Sequence, residues 1–272
     1  MSSSSVLFTL IIFSVLFYNS KTAIQLPPNE TIPAVIAFGD SIVDPGNNNY
    51  LRTVVKCNFP PYGQDFKGKV PTGRFGNGKD PSDLIDLITG ACFASGGSGY
   101  DPLTPKLVSV LSMSDQLEMF KEYKAKLKGI VGEERTNFIL SKSLLILVVA
   151  GRDDIANTYF VSHARELEYD VPSYTDLMLD EATTSFNCSE KYNQAEELFN
   201  MKLSASLDSL NRNLPNSKMI YLDVYTPLLD LIENPKKYGF EFANKGCCGI
   251  EVAIPCNPAS PTYTDASKYF LG

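Results

Sequence analysis

The 272-residue sequence predicts one α/β domain, a three-layer α/β/α arrangement around a mostly parallel sheet. Three observations lead there. Residues 143–150 (SLLILVVA) are apolar on both faces, as strands are in parallel sheets covered by helices. A second apolar run, Ala34-Val35-Ile36-Ala37, breaks at Gly39-Asp40-Ser41. Segments with apolar residues at helical spacing alternate with these runs, the pattern of βαβ units.

Residues 6–18 (VLFTLIIFSVLFY) follow four serines and are too short an apolar run to span a bilayer. They predict the core of a secretory signal, so residues 1–23 are expected to be a signal peptide and residues 32–272 the single domain. No second long apolar segment follows, so the expectation is a secreted, extracellular, monomeric protein without a transmembrane segment. A polar linker with Pro27-Pro28 leads into the first strand, about Ala34 to Phe38. Asp44 to Gly78 is rich in Gly, Pro and Asn and predicts a long loop layer. A brief helix is expected from Pro81 to Leu87. Ala91 to Ala94 reads as a short strand closing in the turn Ser95-Gly96-Gly97-Ser98-Gly99.

Ser114 to Lys128 predicts a helix with Ser114 as N-cap and Leu117, Phe120 and Leu127 on its apolar side. Thr136 to Lys142 continues the helical layer, and the strand at 143–150 ends at Gly151-Arg152-Asp153-Asp154. Helices are expected at Tyr174–Thr184 and Glu190–Leu210. A strand at Met219–Val224 and a helix at Pro227–Glu233 follow, and Asn234 to Gly272 reads as loop.

A net charge of −7 and a pI near 4.9 exclude nucleic acid and anionic membrane surfaces as evident partners. Six cysteines (Cys57, Cys92, Cys188, Cys247, Cys248 and Cys256) suit an oxidising compartment. They lack the paired ligand spacing of a zinc site and the chain has one histidine, so no metal or cofactor is expected. Some disulfides are expected. Cys247 or Cys248 with Cys256 is the pair nearest in sequence, and the connectivity stays open. Asn29 and Asn187 begin glycosylation sequons, expected to be used if the chain is secreted.

Ser41, the glycines at 96–99 and Gly151 to Asp154 all fall at predicted strand ends. Ligands of open α/β sheets sit outside the carboxyl ends of strands. This set can supply a nucleophilic hydroxyl, backbone N–H donors for an oxyanion, and a side-chain donor. A serine nucleophile needs a base, and His163 is the one imidazole. It lies ten positions after Asp153 on a segment leading away from the strand end, so a surface role is expected instead. Arg74 in Pro71-Thr72-Gly73-Arg74-Phe75 is expected to anchor a loop. The Ser95–Gly99 loop lacks the Lys-Ser/Thr of a phosphate cradle.

Phe38-Gly39-Asp40-Ser41, Asp44 with Gly46-Asn47-Asn48, Pro71-Thr72-Gly73-Arg74-Phe75, Phe93-Ala94-Ser95-Gly96-Gly97-Ser98-Gly99, Gly151-Arg152-Asp153-Asp154, and Tyr238-Gly239-Phe240 with Gly246-Cys247-Cys248-Gly249 occur in order. Together they resemble the plant GDSL esterase/lipase family of SGNH hydrolases, closest to the extracellular pollen-coat type. The resemblance runs from about Ile32 to Phe270.

It implies carboxylic-ester hydrolysis on a small-molecule or lipid ester, in lipid degradation, through a serine acyl-enzyme. Ser41 matches the nucleophile and first oxyanion donor. Gly97 matches the second donor, with Gly96 as the alternative. Asp153 occupies a place where the wider family has an asparagine donor. The family's Asp-x-x-His block is missing after Thr264 to Tyr269, so no general base is found. Two stretches, between Leu84 and Gly90 and between Thr184 and Cys188, are shorter than in relatives. The expectation is a family member of doubtful turnover, or alternatively an inactive lipid- or ester-binding protein.

Overall fold

The computed structural model describes residues 32–80, 83, 90–148, 151–181, 190–213, 219–223, 225–246, 265 and 268–271. The proposed signal segment, both sequons, both shortened stretches and Cys188, Cys247, Cys248 and Cys256 lie outside them. So does the expected helix at Pro81–Leu87 apart from Asp83. Cys57 and Cys92 carry free thiols.

β1 (Val35–Gly39) forms the middle of a parallel sheet between β2 (Gly90–Cys92) and β3 (Leu144–Val148). Val35 pairs with both Gly90 and Leu144, and the β1–β3 register continues to Gly39 opposite Val148. Every residue of β1 is buried, which requires both faces to be covered. Parallel neighbours cannot be joined by hairpins, so the intervening chain crosses over as helices. These are α1 (Leu103–Val108), α2 (Met113–Val131) and α3 (Glu133–Lys142).

Ile36 and Phe38, two apart on β1, turn to the same side and pack with Phe93, Met113, Phe120, Tyr123 and Leu140. The Phe38 ring lies 5.4 Å from Phe93 and 5.7 Å from Phe120, the second pair edge to face. Four such rings fill the layer between sheet and helices with little loss of side-chain freedom.

A second core joins the segment after β3 to two later helices. A short helical turn, Gly151–Asp153, leads into a π-helix, Asp154–Val161. Its Ile155 and Tyr159 pack on Tyr174 and Met178 of α4 (Val171–Glu181), and on Ala195, Phe199 and Leu203 of α5 (Glu190–Asn213). α6 (Tyr225–Glu233) precedes a parallel pair, β4 (Phe242–Gly246) with β5 (Tyr269–Leu271).

Several boundaries differ from the sequence expectations. Ser112, not Ser114, caps α2, because Asp115 three residues on completes a reciprocal capping box. Residues 219–223 are not a strand. Asn211 of α5 holds Met219 by both backbone groups at 2.8 Å, and Ile220 and Leu222 are exposed, so the run meets a helix end where a strand needs an edge. The π-helix, α1 and the β4–β5 pair lacked a periodic signal of sufficient length.

Two glycines sit in opposite surroundings. A Cβ on Gly99 would fall 2.1 Å from Asp154 Oδ1 and 2.7 Å from Thr104, both buried, whereas one on Gly129 in α2 would meet nothing within 4 Å. Urea unfolding should show Gly99→Ala less stable by about 1–3 kcal/mol through overpacking. Gly129→Ala should be more stable by about 0.5–1 kcal/mol, since helical alanine loses less backbone entropy.

Candidate active site

β1 ends at Gly39, whose φ of +140° turns the chain out of the sheet. The fully buried Gln116 of α2 holds this residue at two points. Gly39 N–H donates to its Oε1 at 2.9 Å, and its Nε2 donates to Gly39 C=O at 2.9 Å and to Ser98 Oγ at 3.1 Å. Ser95 N–H also donates to Gly39 C=O, at 3.0 Å. One amide therefore fastens the end of β1 to the glycine loop. Asp40 is buried and accepts from Ile42 N–H at 2.9 Å. That leaves Ser41 half-buried at the strand's carboxyl end. Among the described residues neither its hydroxyl nor its N–H has a hydrogen-bond partner.

The loop after Ser41 is bound to the loop after β2 by three side chains. Asp44 accepts from Gly46, Asn47 and Gly96 N–H at 2.8, 2.6 and 2.9 Å. Asn47 donates to the Cys92 and Ala94 carbonyls at 3.1 and 2.8 Å, and Asn48 to those of Val55 and Gly96 at 2.9 and 2.8 Å. Gly96 N–H is thus already engaged by Asp44. Gly97 differs: it is half-exposed with φ +85°, and among the described residues its N–H meets no acceptor. Of the two glycines the sequence left open, only Gly97 has a donor available.

The third strand end supplies acids. Asp153 accepts from Asn157 Nδ2 at 2.8 Å. Burial pushes its pKa up to about 6, against the opposing pull of Arg152. Asp40 lies well above the carboxylate range, through burial first and the charge of Asp153 second. Asp154 has another task. It is fully buried, accepts from Tyr100 and Asp101 N–H at 2.7 and 3.2 Å and from the Thr104 hydroxyl, and burial raises its pKa despite these bonds. It pins the π-helix to the chain leaving the glycine loop. Asp101 beside it is forked by Arg165 at 2.6 and 2.8 Å.

His163 is not brought to Ser41. It stands exposed with φ +56° in the turn after the π-helix, and its Nδ1 is bonded to Glu166. Arg74 is a loop anchor. It forks Asp83 at 2.8 and 2.9 Å, reaches Pro45 C=O at 3.3 Å, and lies over the Phe66 ring. Gln116 carried no sequence signal, being a lone polar residue on an amphipathic helix. Asp44, Asn47 and Asn48 were legible as a turn, though not as the ties between two loops.

Residues 35–257 match the model of the GDSL-like lipase/acylhydrolase family. The chain is 48% identical to the GDSL esterase/lipase EXL3 of Arabidopsis thaliana over 90% of its own length and 83% of that protein's. It is 46% identical to the GDSL esterase/lipase At5g42170 of the same plant, over 92% of this chain and 83% of the relative. The chain belongs to the GDSL esterase/lipase family, with the α/β fold and the hydrolase class which that carries. No helix among the described residues is long and apolar enough to cross a membrane.

Buried acids give the fold a pH dependence. Asp80, buried beside Arg74, is raised to about 7 by burial, which the Arg74 charge offsets only partly. A carboxyl with a higher pKa folded than unfolded binds its proton more tightly in the folded state. Its stabilisation is present at low pH and is lost as pH rises toward the folded value. Asp80 and Asp153 therefore predict a Tm that falls from roughly pH 4.5 to roughly pH 7.5. Asp80→Asn should flatten that fall in thermal melts across the range, because the amide has no proton to lose.

Proposed function

We propose that the chain acts on acyl esters, including lipid esters, with Ser41 as the nucleophile and the N–H groups of Ser41 and Gly97 as the oxyanion donors. The observation that carries this is the Ser41 hydroxyl and N–H, without partners among the described residues, at the end of the central strand, to which the loop carrying Gly97 and its unengaged N–H is tied through Ser95 N–H and Gly39 C=O. The family membership supports it. Serine Oγ would bond to the ester carbonyl carbon while the carbonyl oxygen becomes an anion between the two N–H groups. Collapse would expel the alcohol and leave an acyl-serine, which water then cleaves. By the match of its sequence block to the family's, the Asp153 carboxyl would take the third donor position. It would assist as a neutral acid below its pKa of about 6 and repel the oxyanion above it.

The Ser41 proton needs an acceptor, and the sequence's single imidazole is exposed and paired with Glu166. This 272-residue chain therefore turns esters over only weakly. Alternatively it retains an ester without cleaving it. The setting is a secreted, extracellular monomer, with residues 1–23 as a removed signal and glycans at Asn29 and Asn187. The apolar run at residues 6–18 and the oxidising environment that six cysteines suit support that setting.

Purified protein assayed on p-nitrophenyl butyrate should show a residual, Ser41→Ala-sensitive rate on the order of 10⁴-fold or more below ordinary enzyme turnover. His163→Ala should leave that rate unchanged. A rate within the ordinary range of about 1–10³ s⁻¹ would contradict the weak-turnover assignment. A residual rate indifferent to Ser41→Ala would remove the nucleophile.

A further inference from the structure

Between β1 and β2 the chain carries a charge opposite to that of the whole. The net charge is −7, yet residues 50–79 hold six Lys and Arg against one acid, Asp65. Burial alternates along the start of this stretch. Tyr50, Arg52 and Val54 are exposed, while Leu51, Thr53 and Val55 are half-buried. One edge therefore presents an aromatic ring, a guanidinium and an isopropyl group in turn, with Tyr50 and Val54 open at 91% and 93%. The inward side fixes this edge. Thr53 Oγ1 donates to Val108 C=O at 2.6 Å, Lys56 Nζ to Asn49 C=O at 3.1 Å, and Val55 and Val108 both pack against Gly97. The bond to Val108 brings in the loop whose Lys106 and Leu107 are also exposed. On the other flank Asn49 Nδ2 donates to Thr72 C=O at 2.9 Å, joining the loop that carries exposed Lys67, Lys69 and Val70. Among the described residues none of Arg52, Lys67, Lys69 and Lys106 forms an ion pair. Lys121 and Lys126 on α2 are by contrast paired with Glu118 and Glu122.

We propose that Tyr50, Arg52, Val54, Lys106 and Leu107 form a face that docks on the surface of an anionic lipid aggregate, with the cations at the head groups and the apolar tips below them. Charge complementarity names the occupant. Net charge alone points away from such a surface, but fields beyond about 10 Å are screened at ordinary salt, so a docking layer meets the local cations. The apolar tips decide between anionic partners. An acidic polysaccharide would leave Tyr50 and Val54 in water, whereas a lipid layer takes rings and aliphatic groups into its head-group boundary. The inference goes beyond the ester assignment and does not depend on Ser41.

The test is co-sedimentation of the 272-residue chain with sucrose-loaded vesicles of phosphatidylcholine, alone or with about 30 mol % phosphatidylglycerol. Binding should require phosphatidylglycerol and weaken as sodium chloride is raised from about 0.1 M to about 0.5 M. Arg52→Gln with Lys106→Gln should weaken it at least about tenfold, at roughly fivefold per cation. Tyr50→Ser with Val54→Ser should also weaken it at least about tenfold, and should leave Tm unchanged because both side chains are exposed. Lys121→Gln with Lys126→Gln removes the same charge from α2 and should bind like the wild type. The wild-type requirement for phosphatidylglycerol and low salt decides the matter even if a variant fails to fold. Equal binding to both vesicles, wild-type binding by either patch variant, or an equal loss in the α2 variant would each overturn the surface. So would capture by polygalacturonate that survives Tyr50→Ser with Val54→Ser, which would give the cations to an acidic polysaccharide. Sedimentation reads no ester chemistry. A residual rate indifferent to Ser41→Ala with vesicle binding intact refutes the nucleophile alone, and a Ser41→Ala-sensitive rate without vesicle binding refutes the surface alone.

Discussion

The contact between Gln116 and Gly39 is the constraint on which the functional edge depends. A strand that ends inside a protein leaves backbone groups unpaired just where the chain must turn, and buried unpaired groups are costly. Gln116 answers both groups of Gly39 with one side chain and uses its last N–H on Ser98. The helix bearing it is fixed by the aromatic layer around Phe38 and Phe120 and by the Ser112–Asp115 cap. Core packing is thereby converted into the position of a turn, and the turn leaves the Ser41 oxygen unpartnered.

The polar residues around that turn divide into two kinds. Asp44, Asn47 and Asn48 direct their bonds to backbone groups of a neighbouring loop, which sets that loop's shape, and Asp44 engages Gly96 N–H while Gly97 N–H is left without an acceptor among the described residues. Asp40, Asp80 and Asp154, and Asp44 among the first kind, lie buried with raised pKa values, and the half-buried Asp153 is raised as well. Clustered buried acids make the site region stable in a proton-rich medium and leave it strained as they ionise. Arg74 and Arg165 carry the opposite charge and hold loops through Asp83 and Asp101, whose pKa values stay low because those forked bonds outweigh burial.

Much of this was legible in the amino-acid order. The apolar run at 34–37 fell on β1, every residue of which is buried, so that no alternation was needed, and the run at 143–150 held β3. The family blocks pointed to Ser41, Gly97 and Asp153 as candidates, and the chain's place in the GDSL esterase/lipase family follows from the match over residues 35–257. What stayed hidden involves contacts distant in sequence. Gln116 lies 77 residues from Gly39, and nothing in a helical repeat marks one glutamine as buried. The choice between Gly96 and Gly97 needed the bond from Gly96 N–H to Asp44, 52 positions away. Met219–Val224 had a strand's composition, yet β-propensity reflects a place at a sheet edge, and residues 219–223 have none.

The central claim is that a serine is presented for attack while the only imidazole stands elsewhere. The most direct measurement is the rate and site of modification by a fluorophosphonate, followed by mass spectrometry across pH. The account predicts slow labelling at Ser41 with no step attributable to an imidazole, unchanged by His163→Ala. Rapid labelling of Ser41 that falls when His163 is removed, or labelling of a different serine, would contradict it.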